Sequence, residues 1–215
     1  MAATELTQRA DTVSDGAWHA NQVVLQSADY DELARLHLHC LPDSILSELG
    51  YRAVRAFYKY VERSHLEYVC FARHNGSIVG GCVLSLRPWS LSKRLLVNTS
   101  ISLLIIKRLP LIIKACGTRP KRAPREELKD TSFRYQPEIM HLFTTPHFRG
   151  KGIAKCLIAQ CADRARAAGS ARIIARTLDH PANPAIYFYR KNGFVEIGSV
   201  HEYGKWLVVF AKEIV

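Results

Sequence analysis

The residues Arg149-Gly150-Lys151-Gly152-Ile153-Ala154 carry the first chemistry that can be read from this chain. They follow the short apolar run His141-Leu142-Phe143, which stops at Thr144, Thr145 and Pro146, and they open a long amphipathic helix. Glycines at a strand-to-helix turn leave the first N–H groups of the helix uncovered, and the helix dipole favours an anion there. Gly150 and Gly152 allow the backbone to approach a ligand with no Cβ in the way. Arg149 and Lys151 add positive charge. The chemistry indicated is phosphate binding. The plain alternative is a tight turn, because the stretch is neither a Walker loop nor a three-glycine dinucleotide fingerprint.

Other reactive side chains point to less. His37 and His39 are two apart on a predicted helix, so they face different ways and read as partly exposed histidines rather than a metal pair. Six cysteines (40, 70, 82, 116, 156 and 161) form no Cys-x-x-Cys, so a zinc ribbon or a redox pair is not indicated. A reduced, cytoplasmic chain is the default, and the polar N-terminus shows no signal peptide. The net charge of +11 suits an anionic partner. No recognition motif accompanies that charge, so nucleic acid is not expected.

The elements that must position the turn follow from periodicity. Residues 1–19 read as a flexible arm, and residues 20–215 as a single domain. A short β-like run falls at 21–26. Asp29 then stands at the cap of a helix that ends at Pro42. Ser44 caps a second helix, which Gly50 bends or interrupts. Strands at 67–72 and 77–86 are joined by Asn75-Gly76, a strong hairpin signal. Gly80 and Gly81 inside the second strand imply a bulge or the close approach of another group.

Residues 88–134 read as an insertion. Its apolar part, 95–113, is broken by Lys107, Arg108 and Pro110, whereas a membrane span needs about 20 mostly apolar residues. It reads either as helices that cover the active site or pack on a second subunit, or as an interfacial helix held on anionic lipid by Lys114, Arg119, Lys121, Arg122 and Arg125. Beyond it come a strand at 138–145, a helix at 150–168 with Gly169 past its end, and a strand at 171–177. A short helix follows, capped by Asn183 with Pro184 at its first position and ended by Gly193. Strands at 195–200 and 205–212 close the chain. The element order is that of an α/β protein, strands interspersed with helices.

Two motifs in this second half resemble the GNAT N-acetyltransferase superfamily. Arg149-x-x-Gly152-x-Ala154 is similar to its Arg/Gln-x-x-Gly-x-Gly/Ala pyrophosphate motif. Asn183-x-Ala185-x-x-x-Tyr189-x-x-x-Gly193-Phe194 is similar to the block after its next strand. The resemblance implies the GNAT fold, α/β with a mixed, mostly antiparallel sheet flanked by helices and splayed between the strand at 138–145 and that at 171–177. It implies acetyl-CoA, or another acyl-CoA, as co-substrate and no metal. Its pantetheine would lie in the gap against Leu142, Phe143 and Thr144, and its diphosphate on Arg149, Gly150, Lys151, Gly152, Ile153 and Ala154. Asn183 would approach the coenzyme, and Tyr189 would lie near the thioester sulfur.

Acyl transfer to an amine needs a neutral amine, a stabilised oxyanion and a proton for the leaving thiolate. A strand-end N–H, that of Phe143, would serve the oxyanion. The Tyr189 phenol, of pKa about 10, is suited to protonate a thiolate, with a packed aromatic as its alternative role. His141 and Glu138 are the candidate bases. Three apart in a strand, they are expected to face opposite sides, so only one would enter the cleft. Asp179 and His180 are further candidates.

The acceptor is read as a small primary amine. Residues 36–50 and Phe57-Tyr58 loosely resemble bacterial amino-sugar and surface-polysaccharide acyltransferases, which implies an anionic, nucleotide-linked amino sugar. A protein or peptide N-terminal amine and a non-catalytic acyl-CoA-binding module are the alternatives. A homodimer and peripheral membrane contact stay open.

Overall fold

The structure, a computed structural model, describes residues 19–21, 25–97, 128–202 and 204–215. The arm up to residue 18, the apolar run past Val97 and the basic stretch 119–125 lie outside the described residues. No helix among the described residues is long and apolar enough to cross a membrane.

Strand β1 (His19–Asn21) precedes the expected β-like run and pairs with β2. Helix α1 (Ser27–Cys40) starts one turn earlier than the Asp29 cap predicts. Asp29 instead accepts from the Gln26 N–H at 2.9 Å, satisfying a donor at the helix start from inside the first turn. The Ser44 hydroxyl accepts from the Ser47 N–H and caps α2 (Ile45–Glu48). Gly50, at φ +84°, ends that helix and starts α3 (Tyr51–Arg63). A side chain there would be strained, so the sequence breaks one helical pattern into two. Strands β2 (Glu67–His74) and β3 (Ser77–Ser85) turn at Asn75 and Gly76, both at positive φ, as a tight hairpin needs. Helix α4 (Leu91–Val97) follows.

After the insertion come β4 (Glu138–Thr144), α5 (Ile153–Ala167), β5 (Arg172–Leu178), α6 (Pro184–Lys191), β6 (Val195–Glu202) and β7 (Lys205–Glu213). They form one seven-stranded sheet in the order β1-β2-β3-β4-β5-β7-β6. Every pairing is antiparallel except β4 with β5.

Two apolar layers cover the sheet. Ile153, Leu157, Ile158 and Cys161 of α5 and Ile186 and Tyr189 of α6 pack on one face, against Cys70, Cys82, Ile139 and Phe210. Leu33 of α1 and Val54, Phe57 and Tyr58 of α3 pack on the other, against Phe71, Val83 and Phe143. Burying each of these large side chains stabilises the fold by about 1.5–3 kcal/mol. Both expectations for the β3 glycines hold. The β2–β3 register slips beside Gly80, and a Cβ on Gly80 would stand 2.9 Å from Ile153 Cγ2 and 3.1 Å from the Phe143 carbonyl oxygen. Helix α5 therefore comes this close to β3 only because Gly80 has no side chain.

Candidate active site

Strands β4 and β5 pair at two positions only, Glu138 with Ile174 and Ile139 with Ala175. Beyond Ile139 they part, while β4 stays bonded to β3 as far as Thr144. The Thr145 N–H donates to the Val79 carbonyl at 2.9 Å. Alternation along an antiparallel ladder then turns the Phe143 amide toward β3, and the Leu142 and Thr144 amides toward the gap. The Thr144 carbonyl confirms this direction by accepting from Arg149 Nε at 3.3 Å. Phe143 was expected to serve an oxyanion, but its N–H belongs to the ladder and its ring is buried against Gly81 and His37. Leu142 and Thr144 present the free edge.

At the open end of the gap the turn has the geometry the glycines imply. Gly150 and Gly152 sit at φ +78° and +82°, and a Cβ at either would meet nothing within 4 Å. Helix α5 begins at Ile153 rather than Gly150, and no side chain caps it. Its first intrahelical bond is from the Cys156 N–H to the Gly152 carbonyl. The N–H groups of Ile153, Ala154 and Lys155 are thus the orphan donors of its first turn. Arg149 is exposed, and Lys151 lies over the Phe148 ring.

Asn183 does not reach into the gap. Its amide N–H groups bond to Thr177 Oγ1 at 2.9 Å and the Leu178 carbonyl at 2.6 Å, and its oxygen caps α6 at the Ala185 N–H. It joins the end of β5 to the start of α6 and has no donor left for a ligand. That joint sets α6 against the sheet and buries Tyr189 among Phe188, Phe194 and Phe210. Burial, followed by the nearby Cys82, Glu138 and Cys161, pushes the Tyr189 phenol well above its usual value. It is protonated at neutral pH, so it can donate or accept a hydrogen bond, and it is a weaker acid than an ordinary phenol. Its hydroxyl has no hydrogen-bond partner among the described residues. Cys82 faces Leu142 across the β3–β4 ladder, which brings the phenol to the level of the parting strands.

Glu138 and His141 do not face opposite sides. Val83 pairs with His141 and Leu84 with Ile139, so Met140 is an extra residue in β4. Such a bulge resets the alternation. Met140 packs in the α1/α3 layer, and His141 follows it onto the same face, with its ring against Phe57 and His37. Glu138 shares that face but lies where β4 and β5 still pair. Arg176 holds both of its oxygens, at 2.6 and 3.0 Å, and also bonds Glu202, which Arg134 contacts at 2.8 Å. Burial raises the Glu138 pKa against the pull of Arg176.

His141 lies one step further, where the gap has opened. Burial lowers its pKa to about 4, so it is neutral at pH 7, and neither ring nitrogen has a hydrogen-bond partner among the described residues. His37 was expected to be partly exposed. Instead it is fully buried, with Nδ1 against Tyr58 Oη at 2.9 Å and Nε2 against Ser44 Oγ at 3.0 Å. Desolvation, with His141 adding to it, takes its pKa to about 2. His180 is exposed in the loop after β5, where its Nδ1 accepts from the Ala182 N–H, and Asp179 lies beside it. Sequence reasoning missed Arg176, which ties up Glu138, and His37, which stands behind His141. Neither carries a local signal, since both act through elements far away in the chain.

The described residues contain no group of three or more His, Cys, Asp or Glu side chains placed to hold a metal ion. A parted strand pair beside an uncapped helix start offers a free strand edge and unpaired N–H donors, groups that suit an extended anionic ligand. The acetyltransferase (GNAT) family model matches residues 30–194, and the chain belongs to that family. No curated protein gives a significant match. Among solved structures, the fold is similar to yncA from Salmonella typhimurium with its cofactor acetyl-CoA, at 15% identity and TM-score 0.57 over 93% of this chain and 95% of that one. It is similar to an N-acetyltransferase from Staphylococcus aureus Mu50, at 16% identity and TM-score 0.55 over 93% and 99%. It is also similar to the ribosomal-protein-S18-alanine N-acetyltransferase from Escherichia coli, at 11% identity and TM-score 0.55 over 92% and 94%. GNAT acetyltransferases use acetyl-CoA, and the free β4 edge and open glycine turn fit that co-substrate.

Proposed function

We propose that this acetyltransferase acetylates a primary amine, with His141 as general base and Tyr189 as general acid. The observation that carries this reading is their placement. His141 borders the parted β4 edge on the α1/α3 face, and Tyr189 lies beneath the same edge on the α5/α6 face. One side of the gap can take a proton and the other can give one.

Acetyl-CoA supplies an acetyl thioester. Arg149 and the N–H groups of residues 153–155 hold its diphosphate end, and the Leu142 and Thr144 amides align its extended arm as an added strand would be aligned. The Leu142 N–H, which faces the gap, serves the oxyanion. His141, neutral at pH 7, removes the amine proton as the new bond forms. Tyr189 gives its proton to the departing thiolate. Glu138, clamped by Arg176, fixes where β4 and β5 part, and Asn183 fixes α6 and with it Tyr189.

A nucleotide-linked amino sugar is the finer reading of the acceptor, and the chain's basic charge supports it. Thiol release from acetyl-CoA, followed with a UDP-linked amino sugar, glucosamine, tyramine and a ten-residue peptide with a free N-terminus, tests both levels. The expected result is amine-dependent release, fastest with the amino sugars. Acetyl-CoA binding without release for any amine would favour a non-catalytic module.

A further inference from the structure

We propose that Lys205 is a specificity-determining strap across the open end of the gap, keeping a peptide chain out of the acceptor path. This rests on the reading that the amine arrives on the α1/α3 face. Parallel strands end at the same side, so Thr144 of β4 and Leu178 of β5 mark the two banks of the gap where it is widest. Helix α1 ends on the first bank, with Cys40 Sγ 3.9 Å from the Thr144 carbonyl oxygen. Strand β7 starts on the second bank, with Leu207 opposite Leu178. The turn after α1 and the turn before β7 therefore stand on opposite banks.

Lys205 joins them. Its Nζ donates to the Asp43 carbonyl at 2.9 Å, a contact spanning 162 residues of chain, and lies 3.7 Å from the Glu48 carboxylate. Both side chains of the ion pair are 37% exposed. An exposed pair is screened by salt and holds weakly. It closes a turn without locking it, which suits an entrance that must still admit substrate. On either side of Asp43 in the chain, Leu41 and Leu46 pack against the α1/α3 layer and Ser44 bonds His37, whose ring meets His141, so an acceptor entering beside the strap meets the wall that leads to His141.

The test uses the full chain with acetyl-CoA and compares kcat/KM for glucosamine, tyramine and a ten-residue peptide with a free N-terminus. Lys205→Ala is expected to raise the peptide-to-small-amine ratio by about tenfold, because only the excluded substrate gains from an open entrance. Lys205→Arg keeps the bridge and keeps the wild-type ratio. Glu48→Gln, which leaves the carbonyl bond, shifts the ratio in the same direction by less. Raised salt moves the wild-type ratio toward the Ala variant. An unchanged ratio in Lys205→Ala, with wild-type turnover intact, overturns the strap and leaves the acetyltransfer reading standing. Acetyl-CoA binding with no thiol release from wild type for any of the three overturns the acetyltransfer reading and the strap with it.

Discussion

The imidazoles of His37 and His141 meet edge to face, with centroids 4.6 Å apart and planes at 71°. One ring has both nitrogens engaged, by Tyr58 and Ser44, while the other has neither engaged among the described residues. Both are held neutral by burial, with pKa values of about 2 and about 4. The unfolded chain takes up protons at these positions as pH falls through about 6.5, and the folded chain does not. Their contribution is therefore intact above about pH 6.5 and is lost as pH falls toward 4, with His37 extending the loss further. Each histidine costs up to about 1.4 kcal/mol per pH unit in that window. Denaturant melts between pH 7.5 and 4.5 should show this slope, and His37→Asn should make it shallower.

His141 and Glu138 are separated by substitution. Removing a general base costs about 10²–10⁴ in rate, so His141→Asn should lower kcat by that order with KM for acetyl-CoA unchanged. Glu138→Gln should instead destabilise the protein by about 3–5 kcal/mol, because it breaks a buried pair and leaves Arg176 only Glu202. The folded fraction should retain kcat within a few-fold. With an aromatic amine carrying an electron-withdrawing group, whose ammonium form loses its proton well below the His141 range, the acidic limb of the rate should fall near pH 4 rather than 6.5. A limb at 6.5 would count against His141.

If Arg149 holds the diphosphate as proposed, Arg149→Ala removes a charge-assisted contact of about 1.5–3 kcal/mol. KM for acetyl-CoA should rise about tenfold to a hundredfold, with KM for the amine unchanged. Gly152→Ala should act on the same constant, because a left-handed backbone costs a non-glycine residue about 1–2 kcal/mol. Equal effects on both substrates would place Arg149 elsewhere than on the coenzyme.

Gly80→Ala pushes a methyl into Ile153 and the Phe143 carbonyl. Overpacking of this kind costs about 1–3 kcal/mol. Since Ile153 opens α5, thermal unfolding should occur earlier and KM for acetyl-CoA should rise together with it.

Tyr189→Phe keeps the ring against Phe188, Phe194 and Phe210 and removes only the hydroxyl. Melting should change little, while kcat for thiol release should fall about a hundredfold. An unchanged rate would leave Tyr189 as packing alone.

Features set by a few neighbouring residues were legible in the sequence. Asn75-Gly76 and Gly50 announce their backbone angles, Ser44 and Asn183-Pro184 announce helix starts, and Arg149–Ala154 announces an open glycine turn, because each depends on local sterics and unpaired N–H groups. The sequence therefore determined the element order, the glycine turn before α5 and the family. Only the tertiary structure decided how the catalytic candidates are arranged. The bulge at Met140 exists only relative to β3, and it puts Glu138 and His141 on one face. Arg176 reaches Glu138 from a strand 38 positions away. The burial of His37 depends on α3, and Asn183 turned from ligand to latch once β5 lay beside it. Such facts depend on which distant segments pair and in what register, and no local spacing encodes that.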